Sequence, residues 1–373
     1  MNSPNHNLEE DDDGEVFIDE SDVIHEVNVD EEDLPDVDDE EGAGAEVFDD
    51  EDDDSMHAFT GHTGELYTVA CSPTDPTLVA TGGGDDKGFL WKIGNGDWSF
   101  ELAGQKESVT CLSFSSDGQL LASGCLDGHT QIWDIGSNGI LKDIWFWLVS
   151  RIIQCGCGML IRLPFLTCHG GSVTCGDFTP DGKTICTGSK DATLRIWNPK
   201  TGEAIHVVQG YPYHMEGLIC LTISFDSALA FTAAEDGSVH IVNTTTGKVV
   251  SSLIAHTNSV ETIALSKSSH WAASGDADGK LIIWDLHHST PRFTCEHGDQ
   301  VMCLIWLGSS RYIAAGCGDG RVQVWDSLSG ECIKVFKGHS DSIQSLSVSA
   351  NGDFLVSASL DGTARVFEIS EFR

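Results

Sequence analysis

"GHTGELYTVACSPTDPTLVATGGGDDKGFLWKI", Gly61–Ile93, is the phrase whose reading decides the fold. Short apolar runs are split by turn residues, the pattern of strands and hairpins rather than of helices. The phrase returns as "GQKESVTCLSFSSDGQLLASGCLDGHTQIWDI" (Gly104–Ile135) and as "HGGSVTCGDFTPDGKTICTGSKDATLRIWN" (His169–Asn198). Four later copies follow, the last being "GHSDSIQSLSVSANGDFLVSASLDGTARVFEI" (Gly338–Ile369). The closing position of each copy is Trp91, Trp133, Trp197, Val242, Trp284, Trp325 or Phe367, at spacings of 42, 64, 45, 42, 41 and 42. A period of about forty residues is the signature of a repeat architecture, in which each copy needs its neighbours to bury its apolar faces.

The rest of the chain is read outward from that repeat. The 373 residues carry 59 acidic and 20 basic side chains, for a formal charge of -39. Met1 to Asp54 holds 26 of the acids, and the first Lys or Arg is Lys87. So acidic and apolar-poor a tract is expected to be a disordered tail, assigned here to residues 1–56, with the repeats occupying 57–373. So negative a chain disfavours direct nucleic-acid binding through phosphates. The opening "MNSPNHNLEEDDD" has no charged stretch followed by an apolar one, so no secretory signal is expected. The 13 Cys lie mostly in strand-like apolar runs and read as reduced core thiols of a cytoplasmic or nuclear protein.

The Gly-His start, an Asp six residues before an aromatic and a closing Trp-Asp resemble WD40 repeats. The resemblance implies an all-β WD40 β-propeller, with one four-stranded blade per repeat. "HAFT", His57–Thr60, would supply the outer strand that the last repeat lacks and close the ring. In WD40 blades a His, a Ser or Thr, an Asp and a Trp form a hydrogen-bonded tetrad. Matched by position, the sets are His62, Thr81, Asp85 and Trp91; His169, Thr187, Asp191 and Trp197; and His256, Ser274, Asp278 and Trp284. The remaining blades depart from the pattern, with Gln105 or Lys106 near the His position, Ala315 for the Ser, and Val242 and Phe367 for the Trp. A hydrolase triad would occur once, whereas this trio recurs at the spacing of a fold element.

One interval breaks the period. "DIWFWLVSRIIQCGCGMLIRLPFLTC", Asp143–Cys168, lies where 64 residues separate two closing Trp, too long for one repeat and too short for two. Arg151, Arg162 and Pro164 interrupt it as a membrane span, and "CGC" without a second pair matches no zinc spacing. Back-translated and read one base out of register, the tract continues as "AGxxDNTVWMWNADKAAFLNM", the ending of a blade. Residues 144–168 are therefore read as a frame-shifted eighth repeat, and the parent fold as seven recognisable repeats plus one damaged one.

The acidic N-terminus, the phrase "VATGGGDDKGFLWKI", "ESVTCLSFSSDGQLLASG" and the late "TTTGKVV" resemble the angio-associated migratory cell protein family, in a plant-like member. That resemblance implies a non-enzymatic, monomeric propeller. Fungal relatives are chaperones of a newly made large-subunit ribosomal protein, and animal members are linked to migration and signalling. WD40 proteins bind partners through loops just after the His position, where this chain has Glu65, Glu107, Glu216, Asp299 and Asp341, with Glu235 beside a tetrad-position Asp. Such a ring would steer a basic protein client. A signalling scaffold without a fixed basic client is the alternative. A cullin substrate receptor is disfavoured because "WDIG", "WDLH" and "WDSL" lack the Trp-Asp-x-Arg word. No phosphate loop, metal-ligand cluster, cofactor motif or small-molecule site appears, and no catalytic residue is expected.

Overall fold

Six-residue runs such as "LVATGG" are too short for helices and rich in β-branched and small residues, so they form strands buried on both faces. The computed structural model describes residues 53–94, 99–102, 104–126, 130–136, 139–141 and 169–373, and the readings made of residues 1–52 and 144–168 lie outside them. A short first strand, β1 (His57–Phe59), precedes the first sheet.

Seven four-stranded antiparallel sheets follow in chain order as the blades of a propeller. The first is β2 (Leu66–Cys71), β3 (Leu78–Gly83), β4 (Gly88–Lys92) and β5 (Ser99–Glu101). The second is β6 (Val109–Phe114), β7 (Leu120–Cys125), β8 (Thr130–Asp134) and β9 (Gly139–Leu141). The third is β10 (Val173–Phe178), β11 (Ile185–Ser189), β12 (Leu194–Trp197) and β13 (Ala204–Val208). The fourth is β14 (Leu218–Ile223), β15 (Leu229–Ala234), β16 (Ser238–Asn243) and β17 (Lys248–Ile254). The fifth is β18 (Val260–Leu265), β19 (Trp271–Asp276), β20 (Lys280–Asp285) and β21 (Thr290–Glu296). The sixth is β22 (Val301–Trp306), β23 (Tyr312–Cys317), β24 (Val322–Asp326) and β25 (Cys332–Phe336). The seventh is β26 (Ile343–Val348), β27 (Phe354–Ser359) and β28 (Ala364–Glu368), with β1 as its outer strand.

The closing pairing expected of "HAFT" is therefore present, with His57, Ala58 and Phe59 opposite Val366, Arg365 and Ala364. Two acids just before β1 take structural roles. Asp53 pairs with Arg365, the Asp54 N–H donates to the Lys337 carbonyl (3.1 Å), and the Lys337 N–H donates to Asp54 Oδ2 (3.0 Å).

The core lies between blades. Successive first strands pack on one another, as β2 does on β6, β14 on β18 and β18 on β22, and β26 returns to β2. At the closing seam the Ser347 hydroxyl accepts from the Cys71 N–H (2.9 Å). The Gly of each Ser/Thr-Gly pair sets the spacing. A Cβ on Gly82 would stand 2.5 Å from Val109 Cγ1, and one on Gly275 2.5 Å from Val301 Cγ1. Only a residue without a side chain lets the next blade approach so closely.

Each first strand also carries a β-bulge at its second residue. The register shifts between Leu66 and Thr68, Val109 and Cys111, Val173 and Cys175, Leu218 and Cys220, Val260 and Thr262, Val301 and Cys303, and Ile343 and Ser345. One residue per blade is thereby left out of the ladder at the same level of the ring.

Candidate binding face

Adjacent strands run antiparallel, so the loop entering each blade and the loop between its second and third strands lie at one end. Backbone bonds join the two loops: the Gly84 N–H donates to the Glu65 carbonyl (2.7 Å), Lys190 to Ser172 (2.9 Å), Glu235 to Gly217 (3.0 Å) and Leu360 to Ser342 (3.0 Å). The His-Asp pairs reinforce the same connection.

In the third blade the tetrad is complete. Trp197 Nε1–H donates to Thr187 Oγ1 (2.8 Å), that hydroxyl meets His169 Nε2 (2.8 Å), and His169 Nδ1 faces Asp191 Oδ2 (3.2 Å). The Gly170 N–H also donates to Asp191 Oδ2 (2.7 Å), so the carboxylate ties the entering loop to the second loop. Burial opposes the charge on Asp191, but hydrogen bonds from Thr193 and from the Gly170 N–H outweigh it and hold its pKa at about 2. Burial lowers the pKa of His169, as it does for His62, His214 and His256, which favours the neutral rings at neutral pH.

Two of the expected sets are corrected. In the fifth blade His256 Nδ1 meets Asp276 Oδ2 at 2.7 Å, and Asp278 is not its partner. Asp276 stands two residues earlier, fully buried at the end of β19, and also accepts the N–H groups of Asp278 (3.0 Å) and Lys280 (2.8 Å). Asp278 is left outside, accepting from Asn258 Nδ2 (2.8 Å) and Thr257 Oγ1 (3.2 Å). In the first blade His62 joins Asp85 (2.9 Å) and Thr81 (3.1 Å), but among the described residues the buried Trp91 Nε1 finds no hydrogen-bond partner. Trp91 instead stacks on Phe59 of the closing strand, with centroids 5.0 Å apart and planes 2° apart.

The atypical blades keep the device by substitution. His214, Thr232 and Asp236 form a trio in the fourth, where Val242 replaces the Trp, and Tyr213 donates its hydroxyl to Thr232 Oγ1 (3.0 Å) in the indole's place. Gln105 stands for the His in the second, bonding Ser123 Oγ (2.5 Å). In the sixth, Trp325 Nε1–H donates directly to His297 Nε2 (2.9 Å) because Ala315 offers no hydroxyl. Seventh-blade His339 joins Ser357 (2.6 Å) and Asp361 (2.7 Å). The Ser274–His256–Asp276 line has the order of a catalytic triad, yet Ser274 is 1% exposed and its oxygen accepts from Trp284 Nε1 (2.7 Å), so no substrate carbonyl could reach it.

All six acids singled out in the sequence, Glu65, Glu107, Glu216, Glu235, Asp299 and Asp341, lie exposed in the loops of this one end. Asp86, Asp278 and Asp319 join them from the second set of loops, where only their position between strands could have revealed them. Some charge is answered locally, as Lys190 lies 3.9 Å from Glu235 and Arg321 3.8 Å from Asp319. The entering loop of the fourth blade adds apolar surface: Tyr211 is 94% and Met215 72% exposed.

A family model for the WD domain, G-beta repeat, matches residues 53–92, 96–134, 161–198, 247–285, 289–326 and 330–368. Over 84% of its length the chain is 31% identical to the angio-associated migratory cell protein of Homo sapiens, spanning 80% of that protein. The chain belongs to the angio-associated migratory cell protein family of WD40 propellers. An uncharacterized WD repeat-containing protein of Schizosaccharomyces pombe is 26% identical over 85% of the chain and 87% of its own length. The guanine nucleotide-binding protein subunit beta of Nicotiana plumbaginifolia is 26% identical over 61% of the chain and 58% of its own. The repeat model leaves out residues 199–246, which hold the first three strands of the fourth blade of this WD40 propeller, where Val242 stands for Trp, although its four strands are built like the rest. WD40 propellers are protein-interaction scaffolds, and among the described residues no cluster suited to a metal ion occurs. No helix among them is long and apolar enough to cross a membrane.

Proposed function

We propose that this propeller is a non-catalytic chaperone or assembly factor that holds a basic polypeptide client, of the kind a newly made large-subunit ribosomal protein presents, in the cytoplasm and the nucleus. The observation that carries the reading is the placement of Glu65, Glu107, Glu216, Glu235, Asp299 and Asp341 on the loops of one end. Negative loops around one face raise the encounter rate of a Lys/Arg-rich chain and disfavour acidic partners. Screening such a client until it reaches its assembly site requires rapid capture rather than chemistry. The test is stopped-flow association of the full chain with lysine-rich and glutamate-rich polypeptides. The lysine-rich one should bind with a rate that falls steeply with salt, and reversing Glu65, Glu107 and Asp341 to Lys should slow it at least tenfold. Binding indifferent to both salt and reversal would refute the reading.

A further inference from the structure

The seven bulged residues are Tyr67, Thr110, Thr174, Ile219, Glu261, Met302 and Gln344, and each is half-buried at the acidic end of its innermost strand. They form a ring inside the loop acids. The bulge turns such a residue toward its neighbour: Thr174 Oγ1 donates to the Leu218 carbonyl of the next blade (2.5 Å). Of the seven, Glu261 alone is charged, and the bulges on the two adjoining strands, β14 and β18's other neighbour β22, are the apolar Ile219 and Met302. Ser259 Oγ donates to Glu261 Oε1 (2.5 Å), and among the described residues no hydrogen bond reaches Oε2. The charge is felt on β14, where burial first, and Glu261 among lesser causes, pushes the Cys220 thiol up to about 11.

We infer that the mouth between β14, β18 and β22 is a subsite for one lysine side chain of the basic client, with Glu261 taking the ammonium and Ile219 and Met302 flanking its aliphatic stem. The inference rests on the proposed basic client. It selects lysine over arginine because one carboxylate oxygen is already engaged by Ser259, which leaves a single acceptor rather than the pair that a guanidinium fork uses. A long alkyl stem ending in a point charge matches two apolar walls around one oxygen. The rim acids attract any cation, whereas this half-buried carboxylate discriminates among them.

The probe is a fluorescein-labelled lysine/serine peptide, together with counterparts whose central lysine is arginine or norleucine, titrated against the full chain. The parent should prefer the lysine peptide, and Glu261→Gln, which keeps an acceptor for Ser259, should weaken it about tenfold and erase the preference. That loss should persist when salt rises from about 0.15 M to about 1 M, where the screening length falls to about 3 Å, while the loss in Asp341→Asn should fade. Met302→Lys, which places a like charge at the mouth, supplies the same readout should Glu261→Gln melt early. Parent-like affinity and lysine preference in both variants would overturn the subsite and leave the basic-client reading intact. A preference for the arginine peptide would also overturn the subsite. No binding of any cationic peptide to the parent at low salt would overturn both.

Discussion

His256 has two aspartates within reach of a pattern match and uses the one that the pattern does not select. The word "SGDADG" places acids two and four residues after Ser274, and burial decides between them. Asp276→Ala should strip the acceptor from His256 Nδ1 and from two backbone N–H groups, costing about 1–3 kcal/mol in denaturant unfolding. Asp278→Ala should stay within about 0.5 kcal/mol. Equal costs would mean that the two acids share the role. His297 supplies a second test. Its Nδ1 faces the Gly279 carbonyl (3.2 Å) and its Nε2 accepts from Trp325, so a proton on Nε2 breaks the latter bond. Burial pushes its pKa down to about 4, as burial first and the His214 charge second do for His240. In the unfolded chain imidazole takes its proton near pH 6.5, so this contribution is full above about pH 6.5 and is lost as pH falls toward 4. The melting temperature should fall across that window, before most carboxylates titrate, and His297→Gln should flatten the fall. An unchanged slope would remove His297 from the account.

At the level of strands and loops, what could be read in advance was what repeats locally. Alternation, turn residues and the closing Trp gave the blades, and "HAFT" gave the outer strand of the last one. The fourth-blade trio was hidden because "YHMEG" lacks the Gly-His start and Val242 lacks the indole, while Tyr213 supplies the missing donor from the entering loop. The bulges could not be read, since a bulge is a relation between two strands and leaves no mark in either alone. The Gly of the Ser/Thr-Gly pair was visible as a repeated letter, but its reason appears only against the next blade. Gly275→Val should therefore overpack the seam against Val301 and cost about 1–3 kcal/mol. Gly298, with nothing within 4 Å of a Cβ, should accept Ala at little cost, and a reversed ranking by thermal melts would refute this account of blade spacing.

For the whole molecule, closure rests on three paired residues whose geometry has a mechanical meaning. β1 is antiparallel to β28, with His57 opposite Val366 and Phe59 opposite Ala364, so the chain leading into β1 and the chain leaving β28 depart from the same end of the ladder. A load drawn between them meets the hydrogen bonds one at a time, as in opening a zip, instead of shearing all of them together. The pairs of Asp53 with Arg365 and of Asp54 with Lys337 lie on the chain just before β1, so a load drawn through it meets them first. Acids that composition counts as tail thus serve as the slider's stop. In single-molecule pulling from the two termini, Asp53→Asn with Asp54→Asn should lower the force of the first event and leave the later blade-by-blade events unchanged. The strength of the ring under tension is then set outside the blades, by the few residues where the charged segment becomes strand.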